Sequence, residues 1–110
     1  MEVHPALGSA VVAGELDRRH RELFLDGLGL LVATTHDVWR LDLADVVLCD
    51  GAGLRGLVEG HALARRHGRR LAVVRCSACV HRDLAGAGLA PLLCDQGCAV
   101  LPVTAATTAR

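Results

Sequence analysis

Gly51-Ala52-Gly53-Leu54-Arg55-Gly56 satisfies G-x-G-x-x-G, the spacing in which glycines let a pyrophosphate approach the N-terminus of a helix. The apolar run Val46 to Cys49 precedes it, and a later strand ends at Arg75, where a 2′-phosphate could be met. The motif nevertheless begins halfway along the chain, and no acid for a ribose lies within Leu71 to Arg75. A small nucleotide-binding module therefore stands as the alternative reading. Cys76-x2-Cys79 and Cys94-x3-Cys98 have the look of a four-thiolate zinc site. In a parallel crossover, however, Cys76 would follow one strand and Cys98 precede the next, roughly 15 to 20 Å apart, so no metal is expected. His81-Arg82-Asp83-Leu84 spells the start of a kinase catalytic loop, but Gly88 stands where its Asn belongs. Asp17, Asp42 and Asp50 lack a convergent His or nucleophilic Ser, so the chain is expected to be no enzyme and to carry no cofactor. The basic run Arg65 to Arg70 reads as a solvated helix end in preference to an anion site, and His61 as a core histidine.

Composition narrows the class of partner. Twelve basic residues, all Arg, balance twelve acidic ones, so no net field recruits nucleic acid or an anionic membrane. One Trp, one Phe and no Tyr provide no aromatic platform for single-stranded bases. No apolar stretch approaches the roughly 20 residues of a membrane span, and the start Met1-Glu2-Val3-His4-Pro5 lacks the pattern of a signal peptide. These features predict a cytoplasmic, protein-binding domain without membrane insertion, and a homodimer is allowed. Five cysteines, an odd number, fit reduced thiols better than a disulfide framework.

The elements that must position these residues alternate. Ser9 to Ala13 reads as a strand closed by Gly14, followed by acidic residues and a helical pattern from Arg18 through Leu31 that dissolves at Thr34. Val38 to Leu43 alternates as a strand, and Val46 to Cys49 is apolar enough to continue it. A helix is predicted from about Ala52 to His67, a strand over Arg69 to Arg75, a short helix from Ala78 to Leu84, and an edge strand over Ala99 to Val103. Strands alternating with helices predict an α/β fold: a single small domain over residues 1–103, with a mostly parallel mixed sheet and helices as crossovers. The tail, residues 104–110, has nothing to pack.

Four segments also resemble, in order, those of STAS domains, the family of anti-sigma factor antagonists and sulfate-transporter tails. Val11-Val12-Ala13-Gly14-Glu15-Leu16-Asp17 is similar to the strand ending in G-E-L-D, and Trp39-Arg40-Leu41-Asp42-Leu43 to the central L-D-L strand. Asp50-Gly51-Ala52-Gly53-Leu54 resembles the D-S-S-G-L turn, and Gly68 to Val74 the G-x-x-L-x-L-V strand, so the resemblance spans Val11 to Leu93. It implies a STAS-like fold and a non-catalytic domain that binds an anti-sigma factor kinase or related regulator; a scaffold or transport-accessory protein is the runner-up within the fold. In the antagonists the second serine of the turn is phosphorylated, which breaks the complex. Ala52 occupies that position here, and no Ser or Thr occurs between His36 and Cys76. The charge switch is expected to be missing while docking survives.

A helical wheel places Leu54, Leu57, Val58, His61 and Ala62 toward the sheet, and Ala52, Arg55, Gly56, Glu59, Leu63 and Arg66 outward. The expected partner surface joins the turn, Asp50, Gly51, Ala52, Gly53 and Leu54, to the outer face of the helix at Arg55, Gly56, Glu59 and Leu63. Gly56 and Gly60, each costing ~1 kcal/mol in a helix, imply close approach by a partner or a neighbouring element.

Overall fold

The computed structural model describes residues 1–89 and the backbone of 94–101. Five strands lie in sequence order: β1 (Glu2–His4), β2 (Ser9–Leu16), β3 (Val38–Cys49), β4 (Arg70–Ser77) and β5 (Cys94–Leu101). β1 runs antiparallel to β2, and the other neighbours are parallel. The three helices are crossovers: α1 (Arg21–Gly29), α2 (Gly51–Arg66) and α3 (Ala78–Gly86). The α/β expectation therefore stands, with β1 as an additional edge strand.

Because consecutive strands are neighbours, right-handed crossovers return every helix to the same side. Burial along β3 agrees. Trp39, Leu41, Leu43, Val46 and Cys49 are buried, whereas Arg40 and Asp45 are exposed. One sheet face therefore meets Phe24, Leu28 and Leu31 of the α1 region, Leu57 and Ala64 of α2, and Val80 and Leu84 of α3 in one apolar core. On the other face, the Arg75 guanidinium lies 3.1 Å from the Asp42 carboxylate.

β3 is one strand of twelve residues, joining the two segments that the sequence left separable. It pairs with β4 only as far as Leu43↔Cys76 but with β2 as far as Leu16↔Cys49, so its last residues overhang β4. The register against β2 slips between Gly14↔Val46 and Glu15↔Leu48, and Gly14 takes φ +85°, which glycine accepts readily. The extra residue, Val47, is a bulge, and it leaves Val47 and Leu48 both at the surface, 58% and 47% exposed.

Two expectations require correction. β5 starts at Cys94, five residues before the edge strand read from sequence, and Ala99 pairs with Arg75. Cys98 thus lies within the strand beside the end of β4, and the strand-length separation from Cys76 does not hold. The second correction concerns α2, whose buried residues are Gly53, Gly56, Leu57, Gly60 and Ala64. Val58 and Ala62, placed inward by the wheel, are exposed; Gly56, placed outward, is buried. Residues 104–110, expected to form a tail, lie outside the described residues, as do Pro102 and Val103 of the expected edge strand.

Candidate functional site

The carboxyl ends of β2 and β3 meet at the first turn of α2. Asp50 is extended, and its Oδ1 accepts the Gly53 N–H at 2.8 Å, while its carbonyl accepts the Leu54 N–H at 2.9 Å. This is an N-cap: the carboxylate satisfies a donor that the helix leaves unpaired and sits favourably at the positive end of its dipole. The Asp50 N–H reaches back to the Leu16 carbonyl at 3.4 Å. A Cβ on Gly53 would overlap that same carbonyl oxygen. Asp50 and Gly53 therefore fasten α2 to the end of β2.

The remaining glycines continue the contact. A Cβ on Gly56 would meet Arg21 and Phe24, and one on Gly60 would come within 2.7 Å of Leu28 Cδ1. Positions 53, 56 and 60 follow helical spacing and form the groove against which β2 and α1 pack. Glu59 closes the same seam: both its oxygens accept from Arg21, at 2.6 Å from Nη2 and 3.2 and 3.1 Å from Nε. Gly56 is thus buried against α1, which corrects its expected outward place, while Glu59 stays about a third exposed although paired with Arg21. Leu63 and Leu54 are half-buried, and Ala52 is half-buried on the first turn.

The stripe of α2 that does face solvent is Gly51, Arg55, Val58 and Ala62, spaced i, i+4, i+7 and i+11. Arg55 has no hydrogen bond or ion pair within the described chain. Val47 and Leu48 enter the turn from the other side. Sequence periodicity missed this pair because the bulge, a tertiary irregularity, turns both outward.

The neighbouring β2–α1 turn is closed by Asp17, a second feature the sequence did not reveal. Its Oδ1 accepts from Arg19 N at 3.0 Å, His20 N at 3.2 Å and His20 Nδ1 at 2.7 Å. Burial pushes the Asp17 carboxyl upward, but the His20 hydrogen bonds and the charges of His20 and Arg19 outweigh it and hold the group below the usual carboxylate range. Asp42 binds Arg75 and caps Ala44 N, and Asp50 caps α2. Each candidate carboxylate serves its own turn or ion pair, so they do not converge.

Nor does the turn offer a nucleophile. Burial first, then Asp83, Cys79 and Asp50, push the Cys49 thiol up to about 12, so it stays protonated. His61 is held below its ordinary value by burial and then by Arg65, and its Nδ1 has no partner. No cluster of His, Cys, Asp or Glu among the described residues could hold a metal. A nucleotide site fits poorly, because the Asp50 carboxylate occupies the helix end a pyrophosphate would need and Arg75 is engaged by Asp42 on the open face.

Comparison with known proteins agrees with this geometry. A solved STAS domain of a SulP transporter from Vibrio cholerae superposes with a TM-score of 0.58 at 21% identity, covering 93% of this chain and 83% of that one, which shows a shared fold. No curated protein matches the sequence. The family model described as "Mlab, STAS domain" matches residues 8–94, most of the chain's length, and the chain belongs to the STAS domain family.

Proposed function

We propose that this chain is a non-catalytic docking domain that holds a protein partner at the β3–α2 turn and is not switched by phosphorylation there. STAS domains are protein-interaction modules. The observation carrying the proposal is the pairing of a rigid turn with an unoccupied surface. Asp50 and Gly53 fix the turn, while Gly51, Arg55 and Val58 of α2 lie exposed, as do Val47 and Leu48 at the end of β3. Exposed Val58 one turn from the unpaired Arg55 side chain has the composition of a small interface. Ala52, at the position of the family's phosphoserine, carries no hydroxyl, so the complex would be constitutive.

An anti-sigma factor kinase or related regulator is the partner class that the turn motif supports. A transport-accessory role is the second reading, favoured by the fold match to a transporter's STAS domain. No described helix is long and apolar enough to cross a membrane. A cytoplasmic location accords with both readings.

Affinity capture with the intact chain and with Arg55→Glu tests the proposal and separates the readings. The wild type should retain an ATP-binding anti-sigma factor or a transporter component, and the variant should bind it at least about tenfold more weakly. An exposed charge reversal should alter stability by no more than about 0.5 kcal/mol. Equal affinity of the two folded proteins would move the interface elsewhere.

A further inference from the structure

The opposite end of α2 carries a different chemistry. Arg65-Arg66-His67-Gly68-Arg69-Arg70 leaves the helix and enters β4, bordering an open cavity of about 440 Å³ lined by Asp37, Val38, Arg65, Gly68, Arg69 and Arg70. Gly68 makes the turn at φ +70°, with its N–H bonded to the Arg65 carbonyl at 3.0 Å and the Arg69 N–H to the Ala64 carbonyl at 2.8 Å. Those bonds fix the backbone between Arg65 and Arg69. They also satisfy the Ala64 and Arg65 carbonyls of the last helical turn, whose negative dipole end the arginines must outweigh to hold an anion.

Arg69 is held by its surroundings without being neutralised by them. Its Nη1 donates to the Leu31 and His36 carbonyls at 3.4 and 3.2 Å, and its Nη2 to the Val32 carbonyl at 3.4 Å. These acceptors are uncharged, so the guanidinium keeps a full positive charge, and of its five N–H groups some remain to bind a ligand. Arg65 is exposed at the rim, and its side chain makes no hydrogen bond or ion pair among the described residues. Among the described lining residues Arg65 and Arg69 supply cationic groups and Asp37 the one acid. This end lies about 24 Å along α2 from the Asp50 turn at the rise of a sixteen-residue helix.

We propose that this cavity binds a phosphate ester. Guanidinium groups match phosphate oxygens in paired, directional hydrogen bonds, and the non-bridging oxygens of a phosphate mono- or diester can engage Arg65 and Arg69 together. Asp37 favours an ester that also carries a hydroxyl, because the carboxylate can accept that proton while it would repel a second anionic group. A soluble metabolite and a lipid headgroup share this chemistry. The site is separate from the partner surface proposed above and stands or falls independently of it.

The test titrates the intact chain with inorganic phosphate, with glycerol 3-phosphate, and with phosphatidylcholine vesicles with or without phosphatidylglycerol. The Gly68 and Arg69 amide resonances should shift saturably with glycerol 3-phosphate, or the chain should co-sediment with the anionic vesicles alone. The first result assigns a soluble ester and the second a headgroup. Binding should weaken about tenfold or more in Arg65→Gln and fall as salt is raised. Arg69 is left intact because it ties the α1–β3 loop, and Arg65→Gln, at an exposed helix end, should leave the fold unchanged. Failure of every probe to bind, or unchanged affinity in a folded variant, would overturn the proposal.

Discussion

The glycines of α2 give the sharpest test of how this turn is built, because packing and phosphate binding make opposite demands on Gly51 and Gly53. A Cβ on Gly51 meets nothing within 4 Å, whereas one on Gly53 would overlap the Leu16 carbonyl oxygen and come within 2.8 Å of its carbon. Gly51→Ala should therefore gain only the helix-propensity difference, up to about 1 kcal/mol. Gly53→Ala gains the same term but must push α2 away from β2, since both atoms in its path are backbone and cannot rotate aside. That displacement stretches the Asp50 N–H···Leu16 bond, already 3.4 Å. An overpacking cost of about 3 kcal/mol less the propensity gain leaves a net loss of about 2 kcal/mol, a fall of roughly 10 °C in Tm for a domain of this size. Urea unfolding of both variants measures the difference directly. Equal stability of Gly53→Ala and wild type would refute the close approach on which the seam rests. A nucleotide site would instead lose its ligand in both variants, so nucleotide retained by purified wild type and lost in the stabilised Gly51→Ala would revive that alternative.

Incubation with an anti-sigma kinase and ATP should leave residues 50–54 without phosphate by mass spectrometry, and Ala52→Ser should accept it if the kinase docks at this turn. Leu57→Asp should unfold the domain, as seen by loss of cooperative melting, because it places an unpaired charge at a fully buried position. Stability should fall in acid through two groups. The Asp17 carboxyl sits below its ordinary value, so its contribution is complete above that value and is lost as pH falls through the folded one. His61 is also held low, so the unfolded chain takes up its proton first and stability declines as pH drops through the ordinary histidine range. Melting from pH 8 to pH 4 should show a shallower acid decline for Asp17→Asn and His61→Gln than for wild type.

The order of strands and helices was legible because β2, β3, β4 and α2 each carry a run whose period matches its element. β1 was not. Three residues, Glu2–His4, are too few to show alternation, and the strand exists only by pairing with Ser9 to Val11. The start of β5 was hidden for a related reason: Cys94-Asp95-Gln96-Gly97 has no strand-like pattern, and of these four only Cys94 has a register partner on β4, Val73.

The rotation of α2 is the most instructive difference, because it relocates the candidate site. A hydrophobic wheel weights Leu54, Val58 and Ala62 and gives glycine almost nothing, so it points the helix by its side chains. Here the seam is made by absent side chains: Gly53, Gly56 and Gly60 allow β2 and α1 to approach the helix backbone, and burial follows the glycines. Of the two causes that the helical glycines allowed, the neighbouring element accounts for the contacts in the chain itself. Arg21 then binds Glu59 across that seam, each side chain keeping about a third of its surface exposed. Arg55 remains on the solvent stripe, but now between Gly51 and Val58 rather than beside an open Gly56. A partner at this face would meet a smooth strip of helix with one cation, Arg55, and the exposed Val58 and Ala62. Such a surface favours an apolar patch bearing a single acid, and it requires no hydroxyl at Ala52.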